Sequence, residues 1–155
     1  MADKHLLIVY HSQSGSTERM VRAVIAGARD DAIDGVQVKA VDALAATPED
    51  VQWADAIILG TPENFGYMSG ALKYFFDHIY YPCLEHTQGL GYSLFIKAGN
   101  DGQGALNAIR RIVTGLAWRE LAPPVVHAGE MNDNALHECH ELGMTVAAGL
   151  EAGLF

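Results

Sequence analysis

The chain has 155 residues, of which 50% are hydrophobic and 19% are charged, a composition that fits one globular domain and excludes global disorder. Lysine and arginine total 10 while aspartate and glutamate total 19, so the formal net charge is −9, which disfavours binding to nucleic acid or to an anionic membrane surface. Two distant cysteines, Cys83 and Cys139, exclude a disulfide framework and a thiolate zinc site and suit a reducing compartment. We therefore expect a single cytoplasmic domain over residues 1–155.

Five short segments have the composition of strands in a parallel sheet. They are residues 6–10, 36–41, 56–59, 92–96 and 124–127. Unbroken apolar runs, such as residues 6–10 and 56–59, predict strands covered on both faces, whereas residues 36–41 alternate as in a strand with one wetter face. The first run is too short for a signal sequence or a membrane span.

Between these strands, apolar residues recur at helical spacing in four stripes. The stripes are Met20, Val21, Val24, Ile25 and Ala28; Leu72, Phe75, Phe76 and Ile79; Leu106, Ile109, Ile112, Val113 and Leu116; and Leu136, Cys139, Val146, Leu150 and Leu154. Residues 43–53 leave room for a further turn or two of helix. We expect Pro82 to end the second long helix, and Asn132, Asp133 and Asn134 to cap the last. The alternation predicts an α/β fold with right-handed crossovers, in the form of a three-layer α/β/α sandwich.

The segment that follows the first strand is rich in hydroxyl groups. Residues 11–17 have the sequence HSQSGST and lead directly into a helix. Hydroxyls and backbone N–H groups at a helix N-terminus bind anions, and a loop without lysine or arginine suits a phosphate monoester held by neutral donors. A plain capped helix start is the alternative. The candidate phosphate-binding residues are Ser12, Gln13, Ser14, Gly15, Ser16 and Thr17.

Two further loops follow strands that a parallel sheet would place near the first. Residues 60–70 carry Pro62, two glycines that permit close backbone approach, and the aromatic pair Phe65 and Tyr67, which is suited to flank a flat ring. Residues 98–104 contain three glycines and polar amides but no aromatic residue. Ligands of open α/β sheets bind beyond the carboxyl ends of the strands. A phosphate cradle, an aromatic-flanked slot and a polar wall are the parts that flavin mononucleotide (FMN) needs.

These motifs resemble the flavodoxin-like superfamily over essentially the whole chain. Residues 12–17 match the family's phosphate loop, in which two hydroxyl residues separated by one position precede a glycine and a threonine. Residues 55–62 and 65–68 resemble the isoalloxazine loop of NAD(P)H:quinone oxidoreductases of the tryptophan-repressor-binding-protein type, although Asn64 stands where that group usually has an arginine. The resemblance implies a five-stranded parallel sheet of order 2-1-3-4-5, with FMN where the first and third strands meet.

The resemblance also implies which residues bind the cofactor. Besides the six residues of the phosphate loop, they are Pro62, Glu63, Asn64, Phe65, Gly66 and Tyr67 in the second loop, and Gly99, Asn100, Asp101, Gly102 and Gln103 in the third. It assigns no catalytic acid or base, because FMN carries the electrons and the protein supplies position and electrostatics.

Three functions remain open at this point. The third loop has no aromatic residue, which favours an open flavin face and therefore a reductase that takes electrons from NAD(P)H and passes them to a quinone or a similar small acceptor. The alternative is a flavodoxin-type carrier, which sandwiches the ring between aromatic residues and passes single electrons between redox protein partners. A third interpretation is a binding or regulatory domain that has the fold but no flavin.

Other proteins with this architecture need different residues. A response-regulator receiver requires an acidic pair after the first strand and a phosphorylatable aspartate at the end of the third, where this chain has His11, Ser12 and Thr61. A low-molecular-weight phosphatase requires a cysteine and an arginine in the first loop, and neither is present here. The sequence has neither a GxGxxG motif after the first strand nor a Walker A motif. A dinucleotide-binding Rossmann site and a P-loop nucleoside triphosphatase are therefore not supported.

Two side-chain clusters lie outside these loops. His137 and His140 have a spacing that would permit two metal ligands beside Cys139, but we interpret this segment as a surface helix with one buried cysteine and expect no metal. Aromatic residues within residues 74–81 cover more than one helical face. We expect part of this cluster in the core and the remainder in the interface of a homodimer or higher homo-oligomer.

Overall fold

The computed structural model of the chain describes residues 3–13 and 15–155. Within them the strands are β1 (Lys4–Tyr10), β2 (Val36–Asp42), β3 (Ala56–Asn64), β4 (Tyr67–Met68), β5 (Gly91–Ala98), β6 (Arg119–Glu120) and β7 (Val125–Ala128). The helices are α1 (Gly15–Ala28), α2 (Pro48–Trp53), α3 (Gly70–Cys83), α4 (Gln103–Gly115) and α5 (Asp133–Glu151). None of the helices in this described part is long and apolar enough to cross a membrane.

The main sheet has the strand order β2-β1-β3-β5, and both β6 and β7 pair with β5 at its far edge. These pairs are parallel, and β1 lies between β2 and β3, with Leu6 opposite both Val38 and Ala56. The fifth position of the predicted order is thus shared by two short strands, β6 beside the start of β5 and β7 beside its end. The predicted order and the three-layer α/β/α class are confirmed.

Helices cover both faces of the sheet and create two apolar clusters. Leu7 and Val9 of β1 pack on the side of α2, α3 and α4, whereas Leu6 and Ile8 pack on the side of α1 and α5. All four side chains are fully buried. Burial of one such side chain stabilises a fold by about 1.5–3 kcal/mol. The unbroken apolar run of β1 therefore follows from its place in the middle of the sheet.

Two helix starts follow the capping signals of the sequence. The side chain of Asn132 accepts a hydrogen bond from the backbone N–H of Ala135 at 2.8 Å, which caps α5. Thr47 caps α2 through a reciprocal pair of hydrogen bonds with Asp50. These contacts satisfy backbone donors that the first turn of a helix leaves free. They confirm the predicted cap of the last helix and the short helix predicted between residues 43 and 53.

Three of the boundaries that differ from the predictions have a clear physical reason. Helix α3 continues through Pro82 and ends at Cys83. Proline has no backbone N–H, so Pro82 costs the last turn of the helix one hydrogen bond, and the helix ends one residue later. Leu154 lies beyond the end of α5 and is exposed, so it is not part of the apolar stripe. Strand β3 runs to Asn64 instead of ending at Leu59, because residues 60–62 continue the parallel pairing with β5 and residues 63–64 pair with β4 in an antiparallel hairpin.

The topology brings the three candidate loops to one edge of the sheet. β1, β3 and β5 are parallel neighbours, so the segments that follow them begin at the same edge. From β1 the chain crosses to β2 on one side, while β3 lies on the other side. A crevice forms where consecutive connections leave a sheet in opposite directions, and this crevice is the usual ligand site of open α/β folds.

The contact between α1 and α5 depends on two glycines. A Cβ atom at Gly143 would lie 2.0 Å from the carbonyl oxygen of Val24, and one at Gly27 would lie 1.9 Å from the carbonyl oxygen of His140. Both distances are far below van der Waals contact, and the opposing atoms belong to the backbone. The glycines therefore let the two helices approach each other backbone to backbone.

We expect Gly143→Ala to destabilise the fold by about 1–3 kcal/mol, because the added methyl group overpacks this contact. Chemical denaturation followed by far-ultraviolet circular dichroism measures the free energy of unfolding. Gly70→Ala is the matched control, since a Cβ atom there meets no atom within 4 Å, and it should be neutral or slightly stabilising. Equal stabilities of the two variants would show that the helices do not need the glycine contact.

Candidate functional site

The first loop joins the end of β1 to the start of α1. The backbone N–H of His11 donates to the carbonyl of Gly60 at 3.1 Å, which continues the pairing with β3, and α1 begins at Gly15. Ser16 and Thr17 therefore lie in the first turn of α1, where backbone N–H groups have no partner inside the helix. A Cβ atom at Gly15 would meet nothing within 4 Å, so the loop is open at this point. Ser14, a predicted ligand, lies outside the described residues.

Thr17 is the residue of this loop whose contacts best fit a role in anion binding. Its side chain is fully buried, and its hydroxyl has no hydrogen-bond partner among the described residues. The hydroxyl of Ser12, by contrast, already donates to Glu18 Oε2 at 2.8 Å. Because buried polar atoms are nearly always paired, an unpaired hydroxyl at a helix N-terminus fits a phosphate oxygen as its acceptor. The residues present in the cradle thus fit the phosphate group of FMN.

The second loop is a tight β-hairpin instead of an open connection. Its turn residues Phe65 and Gly66 have φ angles of 53° and 70°, and positive values at both central positions are typical of a type I′ turn. The hydroxyl of Thr61 accepts from the backbone N–H of Ser69 at 3.0 Å and donates to the carbonyl of Pro62 at 2.8 Å, which fixes the base of the hairpin. The ring of Phe65 stands fully exposed at the tip.

The side chain of Glu63 connects the hairpin to the third loop. Its Oε1 atom accepts hydrogen bonds from the backbone N–H groups of Gly99, Asn100 and Gly102, at 3.1, 2.9 and 3.3 Å. Glu63 is only 8% exposed, so its carboxyl group is largely shielded from water. Three converging N–H groups form a concave anion site, which here is filled by the protein's own carboxyl group. The third loop is therefore held in a defined position despite its glycines.

Two further contacts join the loops. The side-chain amide of Asn64 donates to Gln13 Oε1 at 3.0 Å, which ties the hairpin to the first loop. A Cβ atom at Gly104 would lie 1.7 Å from the carbonyl oxygen of Gly66, so the hairpin rests directly on the first turn of α4. The residue at position 104 must be a glycine for this approach. The three loops thus form one connected edge.

The structure brings all the described members of the predicted site to this edge of the sheet, either in the loops or in the ends of the helices and strands that flank them. Asn100, Asp101 and Gln103 are exposed on the third loop, where Asp101 Oδ1 accepts from the backbone N–H of Gln103 at 3.0 Å. The carboxyl group of Glu63, predicted beside the flavin ring, is turned toward the third loop. Their contacts with FMN remain predictions.

Sequence reasoning missed two residues of this edge. Glu18, which accepts the hydrogen bond of Ser12, and Gly104, which supports the hairpin, were outside the predicted set. A signal existed for Gly104, since it closes the glycine-rich third loop and a glycine in the first turn of a helix often marks close backbone approach. No local pattern announces the role of Glu18, because glutamate is common in the first turn of any helix.

The structure also shows the surroundings of the two side-chain clusters outside the loops, one on α5 and one on α3. Cys139 is fully buried against α1, and burial raises the pKa of its thiol to about 12, so it packs as a protonated apolar residue. His137 faces Glu141 on α5 at 3.7 Å. Phe75 and Phe76 are buried, which confirms that part of the aromatic cluster belongs to the core. Tyr74 and Tyr81 are exposed on α3, and their role in an oligomer remains a prediction.

A sequence model described as NADPH-dependent FMN reductase matches residues 21–133, which is more than half of the chain. The chain belongs to the NADPH-dependent FMN reductase family. Membership confirms the predicted resemblance and the cofactor, FMN. The matched segment begins after the first loop, so it includes the hairpin and the third loop but not residues 12–17. The family match therefore gives no support for the phosphate cradle, which is inferred from the described part of residues 12–17 alone.

Individual relatives support the same fold. A flavodoxin from Aquifex aeolicus (strain VF5) is 33% identical over 109 residues, which cover 70% of this chain and 58% of the relative, so the chain spans little more than half of that protein. The solution structure of two-electron reduced Megasphaera elsdenii flavodoxin aligns with a TM-score of 0.75 at 26% identity, covering 92% of this chain and 98% of that one. A WrbA-like flavodoxin from Agrobacterium tumefaciens aligns with a TM-score of 0.78 at 21% identity, covering 99% and 100%.

We expect Thr17→Val to weaken FMN binding about tenfold or more, since a hydrogen bond to a charged group contributes about 1.5–3 kcal/mol. The stability of the protein without FMN should change little, because the hydroxyl that is removed has no partner among the described residues. Titration of FMN fluorescence measures the affinity, and chemical denaturation measures the stability.

Ser93→Ala is the matched control for this measurement. Ser93 also has a buried hydroxyl without a partner in the described part of the chain, but it lies in the first half of β5, opposite Ile58. FMN affinity should be unchanged in this variant. If both variants bound FMN like the unaltered protein, Thr17 would not be a phosphate ligand.

We expect Glu63→Ala to release the third loop. Removal of the acceptor leaves three N–H groups unpaired, and hydrogen exchange at Gly99, Asn100 and Gly102 should accelerate by about tenfold or more. Glu63→Gln keeps an oxygen acceptor and should give intermediate rates, while Glu85→Ala, at an exposed position after α3, controls for the change in charge. Exchange rates that stay the same in Glu63→Ala would contradict the role of this side chain.

Proposed function

We propose that the chain is an FMN-dependent oxidoreductase that takes two electrons from NAD(P)H and passes them to a quinone or a similar small acceptor. The observation that carries this proposal is the third loop, which has no aromatic residue and is held by Glu63 against the hairpin. A flavin beside the hairpin would have Phe65 and Tyr67 near one face and only short polar side chains near the other. A nicotinamide ring needs such an open face to stack on the flavin.

The protein's part in this reaction is binding and positioning. Thr17, together with Ser16 and the free N–H groups at the start of α1, would hold the phosphate group. The hairpin, fixed by Thr61 and Glu63, would place backbone groups beside the isoalloxazine ring. Bound FMN supplies the electron-accepting ring, since none of the protein side chains performs two-electron chemistry of this kind. No side chain is assigned as a general acid or base.

A flavodoxin-type electron carrier is the second candidate, and the charge of the chain favours it. The net charge of −9 would attract a basic redox protein, and exposed Phe65 offers an apolar contact at the site. Such a carrier needs only an exposed flavin edge, so it would exchange single electrons with a protein partner. For either candidate we propose a cytoplasmic location, because two free cysteines suit a reducing compartment.

We expect NADH or NADPH to bleach the visible absorbance of the FMN-loaded protein rapidly in anaerobic stopped-flow experiments. Addition of a quinone to the bleached protein should restore the absorbance. A carrier would stay coloured with either nicotinamide nucleotide and bleach only with a chemical reductant or a reductase partner, and this outcome would overturn the proposed enzyme activity. A protein that does not bind added FMN would overturn both candidates.

A further inference from the structure

Glu18 binds the hydroxyl group of a residue that the sequence predicts as a phosphate ligand. Ser12 Oγ donates to Glu18 Oε2 at 2.8 Å. A serine hydroxyl has one hydrogen, so Ser12 cannot donate to a phosphate oxygen while this bond is present. Thr17, by contrast, has no hydrogen-bond partner for its hydroxyl in the described part of the chain. Of these two predicted ligands, Ser12 therefore already has an acceptor within the protein.

Glu18 also brings a negative charge to the start of α1. It lies in the first turn of this helix, directly after Thr17. The N-terminus of a helix attracts anions through its dipole and its free N–H groups, and a glutamate in the first turn is stabilised by the same field. Glu18 and a phosphate group thus depend on the same attraction, and their like charges repel each other at short distance.

Arg22 offsets the charge of Glu18 only in part. Its Nε atom lies 3.4 Å from Glu18 Oε1, and the two side chains are 77% and 40% exposed, so this ion pair is weak. The charge of Glu18 reaches the end of β1, where burial raises the pKa of Tyr10 and the negative charges of Glu18 and Asp42 raise it further. Residues 11–17 contain neither lysine nor arginine. The cradle therefore meets a carboxylate at its base.

We propose that Glu18 limits the affinity of the cradle for FMN, because it competes with the phosphate group for the hydroxyl of Ser12 and for the positive end of α1. FMN is then held less tightly than the neutral donors of the cradle allow, and it exchanges more readily with free FMN. The inference rests on the phosphate cradle and on FMN as the cofactor. It does not depend on the electron donor or acceptor, so it applies to both candidate functions.

Two substitutions of Glu18 separate the charge from the hydrogen bond. Glu18→Ala removes both, whereas Glu18→Gln removes the charge and keeps an oxygen acceptor. Titration of FMN fluorescence should show binding about tenfold tighter in Glu18→Ala and a smaller gain in Glu18→Gln. Dissociation of FMN should slow in the same order. Riboflavin, which has no phosphate group, should bind both variants and the unaltered protein equally.

Glu49→Ala is the matched control. Glu49 is an exposed glutamate in the first turn of α2, a helix that packs on the other face of the sheet. This variant makes the same change in net charge at a different helix start. Its affinity for FMN should equal that of the unaltered protein.

The charge of Glu18 has a signature that a change in loop shape lacks. Salt screens exposed charges, so the difference in FMN affinity between Glu18→Gln and the unaltered protein should shrink between about 50 mM and about 500 mM sodium chloride. A difference that did not respond to salt would exclude repulsion as its cause.

The competition for the hydroxyl is measured by a double-mutant cycle with Ser12→Ala. In the Glu18→Ala background the hydroxyl of Ser12 is free to donate to phosphate, whereas in the unaltered protein it is bound to Glu18. Ser12→Ala should therefore weaken FMN binding at least about fivefold more in the Glu18→Ala background than in the unaltered protein. Additive effects would contradict the competition.

Three further results would overturn the inference while the proposed function stands. They are an unchanged FMN affinity in Glu18→Ala, a weaker one, which would make Glu18 a support of the cradle, and an equal gain for riboflavin, which would show that the effect does not act through phosphate. Denaturation without FMN checks that each variant is folded. Failure of NADH and NADPH to bleach the loaded protein would overturn the proposed enzyme activity and leave this inference intact. An unaltered protein that does not bind FMN would overturn both.

Discussion

The interaction on which the edge of the sheet depends is the burial of one carboxyl group against three backbone N–H groups. Glu63 Oε1 fills a concave site formed by the third loop, and this contact determines where that loop lies relative to the hairpin. A loop with three glycines has high conformational entropy, so its order must be supplied by contacts with other segments. The hairpin supplies them. The hairpin is itself fixed by Thr61 and packs against Gly104. Strand β3 therefore positions the hairpin, and the hairpin positions the third loop.

The first loop obtains its position from a different source. Helix α1 carries the cradle at its N-terminus, and its packing with α5 through Gly27 and Gly143 sets where that N-terminus points. The cradle has no basic residue, so its attraction for an anion comes from N–H groups and hydroxyls held in place by the fold. Such donors work only when their orientation is fixed in advance. The close contact between the two helices therefore helps to position the candidate phosphate cradle, although Gly27 and Gly143 lie outside it.

Much of the fold could be predicted from the sequence because its signals are local. The apolar runs of β1 and β3, the helical stripes and the cap at Asn132 each reflect the immediate environment of a few residues. The hairpin was not predicted, because the turn needs a positive φ angle at Phe65 and phenylalanine does not favour that conformation. The link between Glu63 and the third loop joins residues more than thirty positions apart, and no pattern within either segment reveals it. Local chemistry thus pointed to the three candidate loops, whereas the contacts that hold them together are visible only in the three-dimensional arrangement.

The backbone at Phe65 has a further consequence. A φ angle of 53° places this residue in the left-handed region, where a side chain with a Cβ atom is disfavoured by about 1 kcal/mol or more. Glycine or asparagine would form the same turn at lower conformational energy but would remove the ring from the tip. The chain therefore holds its most exposed aromatic side chain at a position that the local backbone opposes, and the rigid base of the hairpin compensates for this. At this position the sequence thus keeps an exposed aromatic ring at the expense of the most favourable turn conformation.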